Sequence, residues 1–355
     1  MKDASERVLR IYVEARTTHL ERAKVDGATV AYFRTSYDFD QELASAVDSM
    51  QIGLPDAFRL VRSGRYSVVE VNEPLMLSAW PALLSITAAH ALSPRRARSR
   101  LVSYAIENGD VASWLSSKTR LPMWIARPVA RRVARLFVSR LHKLAFGTEA
   151  ARARYEKVLG RLPVQSQLFT ALEPECECLS QVDTATRRPG VVFVGAFEPR
   201  KGMPELMAAW DSLGDTDLTL TILGKGPLEA KILSWNPSNV RIIVDPDRYT
   251  IHQELKKATT LVLLSQPAKR WQEQIGLPLL EGLSHGCEIV TTSETGLAPW
   301  LASHGHRVMT HNEAAEAMGD AIASSARSAR PPQSVLSTLP TESGRQSAAD
   351  WLHKI

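Results

Sequence analysis

Three turns in the second half of this sequence carry the residue types that phosphate and sugar recognition require. The first, Gly195-Ala-Phe-Glu-Pro-Arg200-Lys201-Gly202-Met-Pro204-Glu205, follows an apolar run at 191–194. Gly195 lets the chain leave a strand sharply. Pro204 suits the first helical position, where a missing N–H costs nothing. Arg200 and Lys201 then stand just ahead of a helix N-terminus. Two cations, free backbone N–H groups and the positive end of the macrodipole all favour a bound polyphosphate there. Arg offers a bidentate fork and Lys a point charge. The same residues would equally serve a solvated turn. The second turn, Gly224-Lys-Gly226-Pro227, follows a run at 218–223. Its glycines permit close backbone approach to a ligand, and also suit any tight strand-to-helix turn.

The third segment, Glu273-Gln-Ile-Gly-Leu-Pro-Leu-Leu-Glu281, is the most informative. Gly276 and Pro278 mark a loop-to-helix transition and Gly286 suits a C-terminal cap, predicting a helix over 277–285. Glu281 then falls in the first turn and Glu273 on the approach loop, so the two acids address different parts of an extended ligand. Carboxylates hold sugar hydroxyls well because charged acceptors make the stronger hydrogen bonds. The helix dipole alone would favour an acid in a first turn. That explains Glu281 but not Glu273.

The elements that must position these turns read as α/β. Runs at 191–194, 218–223, 240–244, 260–264 and 288–292 alternate with helical segments, the rhythm of βαβ units on a parallel sheet. The first half repeats this less regularly, with β-rich runs at 8–13, 28–33, 66–71, 101–106 and 144–146. The expected architecture is two Rossmann-like, doubly wound parallel-sheet domains facing a central cleft, with ligands at the carboxyl ends of strands. We place the first domain at 1–165, a Pro-bearing linker at 166–190 and the second domain at 191–330. A polar tail and terminal helix at 331–355, carrying Trp351, would pack back on the first domain.

Bulk properties agree. A chain of 355 residues suits two domains, and 44% hydrophobic with 23% charged residues describes a folded protein rather than a disordered one. Residues 74–94 carry no formal charge, but Pro81 and several polar residues interrupt them, so they read as a buried crossover helix rather than a membrane span. The N-terminal residues lack an apolar signal region, which argues against secretion and for a cytoplasmic location. Cys176, Cys178 and Cys287 form no disulfide framework. Cys176-Glu-Cys178 lacks the second ligand pair of a closed tetrahedral site, so all three read as free thiols and no metal site is expected.

Taken together, the three turns resemble glycosyltransferase family four of the GT-B fold. That family shows a Gly-x-Phe/Leu-x-x-x-Lys-Gly turn, a Gly-x-Gly-Pro turn, and two Glu separated by seven residues. The counterparts here are 195–202, 224–227 and 273–281, in the family's order and spacing. The match covers roughly 191–301 well and the first half only in general layout. The resemblance implies a retaining, nucleotide-sugar-dependent glycosyltransferase of hexosyltransferase type that needs no cofactor beyond its nucleotide-diphosphate sugar. Arg200 and Lys201 would neutralise the donor diphosphate as leaving group, Glu281 would bind the ribose, and Glu273 would hold the transferred sugar. Gly195, Gly224, Gly226, Gly276 and Leu277 would complete the donor site. The implied mechanism is front-face substitution through an oxocarbenium-like state, with orientation and electrostatic stabilisation supplied by the protein.

Several positions depart from the family pattern. Ile275 replaces a common aromatic, and Cys287-Glu288 replaces a small-Pro step with no evident chemical consequence. The first domain lacks the usual glycine-rich loop, since the corresponding segment is Glu14-Ala-Arg-Thr-Thr-His19, and the usual cleft histidine is not identifiable. His19, Glu107 and Asn108 are the acceptor-side candidates, though each also suits turn-making. Two rival readings therefore stay open: a catalytically silent glycosyltransferase-like binding subunit, and a nucleotide-sugar epimerase on the same fold.

Net charge is +5, and its surplus is concentrated: between Arg95 and Lys143 twelve Lys or Arg face only Glu107 and Asp110. From 125 to 144, apolar residues at 125, 129, 133, 136, 137, 141 and 144 describe a helical stripe. Arg127, Arg131, Arg132, Arg135, Arg140 and Lys143 occupy much of the rest. A basic amphipathic helix near Trp114 and Trp124 suits docking on an anionic membrane surface, and so a lipid-linked or glycan acceptor in cell-surface synthesis. A core-packed helix with a solvated Arg face has the same pattern. No module or aromatic stacking strand points to nucleic acid.

Overall fold

In the computed structural model the described residues are 7–36, 38–179, 187, 189–235, 237–269 and 271–354. They form two compact units, one of Met1–Phe169 with Gln346–Ile355, the other Thr170–Arg345. Each is built on a sheet whose strands all run parallel.

The first unit contains β1 (Val8–Ala15), β2 (Thr29–Thr35), β3 (Ser49–Gln51), β4 (Val68–Val71), β5 (Arg100–Ala105), β6 (Lys143–Phe146) and β7 (Gln165–Leu168), in the order β3-β2-β1-β4-β5-β6-β7. Val68, Val69 and Val71 are buried, as the central strands of a sheet covered on both faces require. The uncharged 74–94 stretch forms the buried crossover helix Trp80–Leu92, entered through a single 3-10 turn. Among the described residues no helix is long and apolar enough to cross a membrane. The helix Gly344–His353 sets Ala348 and Leu352 against Val68, Val102 and Ala145. Its His353 also meets the buried Glu70 carboxylate at 3.0 Å. Glu70 in turn pairs with the fully buried Arg10 at 3.2 Å, and Asp26 takes the other end of that guanidinium. A buried arginine survives only with such partners.

The basic segment is shorter than its pattern implies. Its helix runs Met123–Val138, so Lys143 and Leu144 belong to β6 instead. Its buried face is the small-residue row Ala126, Ala130 and Ala134 with Phe137, while Leu136 lies 44% and Trp124 75% exposed. The alanines lie one position beyond the apolar residues of the expected stripe. Their small side chains let the helix lie close against Val111–Thr119.

The second unit contains β8 (Gly190–Val194), β9 (Thr219–Gly224), β10 (Val240–Val244), β11 (Thr260–Leu263), β12 (Glu288–Thr292) and β13 (Arg307–Met309), in the order β10-β9-β8-β11-β12-β13. The order reverses direction between β8 and β11, the switch point where ligands gather in such sheets. Part of the proline-bearing stretch packs into this unit, where Leu172 and Leu179 are buried. Residues 180–186 and 188 of that stretch lie outside the described residues. The helix Pro332–Leu336 buries Val335 in the same core. Glu288 proves to be structural: Arg330 and His306 converge on its carboxylate, His306 at 3.0 Å and Arg330 Nη2 at 3.0 Å.

Candidate functional site

Of the donor-side candidates in the second unit, the two glycine turns, Lys201 and Glu273 gather at the carboxyl ends of β8, β9 and β11. After β8 the chain makes a 3-10 turn, Pro199–Lys201, before Gly202 starts the helix Met203–Ser212. Gly202 has φ +75°, and a Cβ there would lie 1.9 Å from the Leu264 carbonyl oxygen. Only glycine lets this turn press against the end of β11. The turns after β8 and β9 are stitched together: the Gly195 N–H donates to the Leu223 carbonyl at 3.0 Å, and the Phe197 N–H to the Lys225 carbonyl at 2.9 Å. A Cβ on Gly224 would fall 1.8 Å from the Gly195 carbonyl oxygen. The two glycine turns are therefore one surface of closely packed backbone.

Lys201 ion-pairs with Glu273, and both side chains are about nine-tenths buried, 13% and 10% exposed. Ser265 Oγ, just past β11, donates to the same Glu273 oxygen at 3.3 Å. The backbone of Glu273 is fixed as well, pairing with Thr295 in an isolated bridge and accepting the Gly296 N–H at 3.0 Å. Arg200 pairs with Glu198, and its guanidinium lies 4.5 Å from the Trp271 ring centroid. The Lys201 ammonium is 5.2 Å from that ring. Trp271 thus contacts both cations, each contact favourable through the ring quadrupole. Trp271, Ser265 and Thr295 join the site without a motif in the sequence to mark them. The one available signal was an aromatic two residues ahead of Glu273.

The helix after this loop runs Leu277–Ser284, capped by Gly276 at φ +82°. Leu277 at its start is 54% exposed. Glu281 is the fifth helical residue, not a first-turn residue as the sequence implied. The dipole effect fades within the first turn, so it no longer accounts for this acid. Burial pushes the Glu281 carboxyl above the usual range, and Arg248 opposes that rise.

The acceptor-side candidates lie in the first unit and are engaged locally. The chain passes from β1 to the helix Thr17–Asp26 through Arg16 alone, leaving no room for a glycine-rich loop. His19 stacks on Tyr12 at 3.9 Å, and its Nδ1 accepts the Arg16 N–H at 3.2 Å. Glu107 and Asn108, beyond β5, are buried. Glu107 accepts the Gly109 N–H at 2.8 Å, and the Asn108 carbonyl accepts from Arg154 at 2.9 Å. Behind them stands Glu73, beyond β4, which accepts the Ile106 and Glu107 N–H groups at 3.1 and 2.9 Å. Burial, then the neighbouring Glu107 charge, pushes the Glu73 carboxyl up to about 8.

The three cysteines are free, as their number and spacing imply, but the fold supplies a second donor pair that the sequence spacing lacks. In the fold, Cys176 and Cys178 do meet a second pair of donors: His252, from the helix Arg248–Lys257, and His285, at the end of Leu277–Ser284. The four donor atoms lie within 4.8 Å of one another. Sequence spacing could not reveal this, because the histidines stand 76 and 107 positions from the cysteines they approach. Cys287 is separate and buried, 3.6 Å from the Leu255 carbonyl.

Residues 188–327 match the family model described as "Glycosyl transferases group 1". No curated protein sequence matches the chain. Among solved structures, HepE of Anabaena in complex with UDP and glucose superposes with a TM-score of 0.67 at 14% identity, covering 99% of this chain and 100% of that one. WaaG, a glycosyltransferase involved in lipopolysaccharide biosynthesis, gives 0.64 at 15% identity over 97% and 99%. Sucrose-phosphate synthase from Thermosynechococcus elongatus gives 0.64 at 14% over 98% of each chain. With two parallel α/β units, three superposing structures and a matching sequence pattern around Lys201 and Glu273, the chain has the GT-B fold, and its second unit carries the group 1 glycosyltransferase pattern.

Proposed function

We propose that this protein is a retaining glycosyltransferase moving a hexosyl unit from a nucleotide-diphosphate sugar to a glycan or lipid-linked acceptor. The observation that carries this reading is the buried Lys201–Glu273 pair beside two glycine turns that leave no room for a Cβ at Gly202, Gly224 or Gly226. Cations, bare backbone and a held carboxylate lie together where a parallel sheet receives its ligands. Arg200 and Lys201 stabilise the departing diphosphate, placing positive charge where negative charge develops. Glu273 orients the transferred sugar through its hydroxyls, and Glu281 takes the ribose. The departing diphosphate accepts the acceptor proton as the new glycosidic bond forms on the same face.

His19, Glu107 and Asn108 are assigned to the acceptor side. The exposed face bearing Trp124, Arg127, Arg131, Arg132, Arg135 and Arg140 is assigned to an anionic membrane surface on its cytoplasmic side, consistent with synthesis of a cell-surface polysaccharide or glycolipid. The test is binding of nucleoside diphosphates and their sugars by calorimetry, followed by product analysis with and without glycan and lipid-linked acceptors. Nucleotide binding with acceptor-dependent transfer is expected. Sugar interconversion without acceptor would establish an epimerase, and absence of millimolar nucleotide binding would establish a silent subunit.

A further inference from the structure

Four side chains far apart in sequence converge on one point of the second unit. His285 Nε2 lies 3.0 Å from His252 Nδ1 and 3.2 Å from Cys178 Sγ. His252 Nδ1 lies 3.7 Å from Cys176 Sγ and 3.9 Å from Cys178 Sγ. With zinc–sulfur bonds of about 2.3 Å and zinc–nitrogen bonds of about 2.0–2.1 Å, a tetrahedron places its nitrogens about 3.3 Å apart and sulfur about 3.6 Å from nitrogen. These four separations lie within about 0.4 Å of those figures. Two thiols and two imidazoles are also the donor set that a borderline-soft divalent ion prefers, and oxygen-seeking ions such as magnesium or calcium do not.

The surroundings orient these donors as a metal site needs. His285 Nδ1 lies 2.6 Å from the Glu281 carbonyl oxygen. A proton on Nδ1 donated to that oxygen leaves the Nε2 lone pair directed at the cluster, the outer hydrogen bond that fixes a ligating histidine's tautomer. The Cys178 N–H points at Cys176 Sγ from 3.4 Å, a contact that supports thiolate character. The Cys176 N–H donates to the Ser284 carbonyl at 2.9 Å, holding the cysteine segment in place.

We propose that Cys176, Cys178, His252 and His285 form a closed tetrahedral zinc site that clamps the 172–179 segment to the helices Arg248–Lys257 and Leu277–Ser284. All four positions are taken by protein, which makes the site structural rather than catalytic. The clamp grips the C-terminal end of the helix that carries Glu281, so it fixes the axis on which that carboxylate is mounted. Its role is independent of which sugar, or whether any sugar, is transferred.

The full-length chain, expressed with zinc in the medium and dialysed, should retain about one zinc per chain by elemental analysis, the stoichiometry of a mononuclear site. Replacement by Co(II) should give the intense red-region absorption of a tetrahedral ion together with thiolate charge transfer in the near ultraviolet. Cys178→Ser and His252→Asn should each weaken metal retention at least 10-fold, the low end of effects on metal affinity. Removal of metal by chelation should lower the Tm by roughly 5 °C or more, a shift that readdition of zinc reverses. A folded wild-type chain that retains less than about one-tenth of a zinc and gives no thiolate–cobalt band would overturn the site, since a structural site holds its ion tightly. Retention equal to wild type in both variants would overturn this ligand set. The wild-type measurements stand even if a variant fails to fold.

Discussion

Lys201 and Glu273 stand 72 residues apart in sequence and form an ion pair at the switch point of the second sheet. Each neutralises the other at a position where an isolated charge would be expensive. On the proposed reading a donor diphosphate would offer Lys201 a stronger anion, and the sugar's hydroxyls would offer Glu273 donors in return. The pair would then be a set of binding groups already satisfied before the ligand arrives.

From this pairing we expect Lys201→Met and Glu273→Gln each to lower kcat by on the order of 10²–10³, the range seen when one preorganised electrostatic group is removed. Loss of one partner leaves the other charge buried, so each variant should also lose about 3–5 kcal/mol of stability. The double variant should regain most of that stability while remaining inactive. Steady-state transfer and urea denaturation read the two effects separately, and near-normal transfer by both single variants would remove these residues from the site.

The second expectation concerns backbone rather than charge. Gly202→Ala puts a methyl group 1.9 Å from the Leu264 carbonyl oxygen at a residue with φ +75°. The turn bearing Arg200 and Lys201 must then swing away from β11, at a cost of at least about 2 kcal/mol. Gly214→Ala is the control: it also has positive φ, but a Cβ there meets nothing within 4 Å. Nucleotide binding should fall for the first variant and hold for the second. Equal behaviour of the two would show that close packing of the turn is immaterial.

Much of the second unit was legible because its strands are buried on both faces and so read as unbroken apolar runs, Val191-Val-Phe-Val194 most clearly. The strands that escaped notice, β3, β7 and β13, lie at sheet edges and carry polar residues such as Gln165-Ser-Gln-Leu168. Short polar edge strands leave little hydrophobic signature, whereas the edge strand β10 keeps Val240, Ile242, Ile243 and Val244 and was legible. The donor-side turns were legible through Gly and Pro, whose backbone demands are local. Trp271 and the Cys176–His252–His285 grouping were not, since a contact between distant segments depends on tertiary packing that no local pattern encodes. The helix start at Leu277 was legible in Gly276 and Pro278, and counting from it makes Glu281 the fifth residue, beyond the first turn.

Glu281 supplies a pH test. Burial raises its carboxyl pKa, with Arg248 partly opposing. Accepting ribose hydroxyls is strongest for the ionised form. Donor affinity should therefore begin to fall, as pH is lowered, at a higher pH than an ordinary exposed glutamate would dictate. Glu281→Gln should raise the donor KM roughly 10- to 100-fold, the worth of a hydrogen bond to a charged group, and flatten that pH dependence. Calorimetric titration of donor between mildly acidic and neutral pH decides it, and an unchanged profile in the variant would assign the dependence to another group.

Acid stability should report on Glu288. Burial alone would raise its carboxyl, but the hydrogen bonds and charges of His306 and Arg330 outweigh that and hold it down at about 2, against an ordinary 4.5. A folded pKa below the unfolded one contributes stability that is complete above about 4.5 and disappears as pH falls toward about 2. Glu288→Gln should therefore be less stable at neutral pH and show a shallower loss across that window. Denaturant titrations at stepped pH would show parallel curves for variant and wild type if the interaction contributed nothing.

The last expectation concerns the helix Met123–Val138. Its alanine row is committed to the core, so what remains outward is Trp124, Leu136 and the exposed arginines at 127, 131, 132 and 135. Arg135 also donates to the Leu159 carbonyl at 2.9 Å and is partly engaged. The other three are the better test of surface attraction. Each basic residue near an anionic bilayer is worth about 1 kcal/mol, so the triple variant R127Q/R131Q/R132Q should weaken binding to phosphatidylserine-containing vesicles by roughly 100-fold at physiological salt. Raised salt should weaken the wild type in the same direction, because a surface attraction is screened within about 8 Å. Trp124→Ala should reduce binding with little effect on salt dependence, since an interfacial aromatic acts through burial rather than charge. Co-sedimentation that is indifferent to lipid charge, salt and all three arginines would make this face a solvated one, with the helix serving only its alanine side.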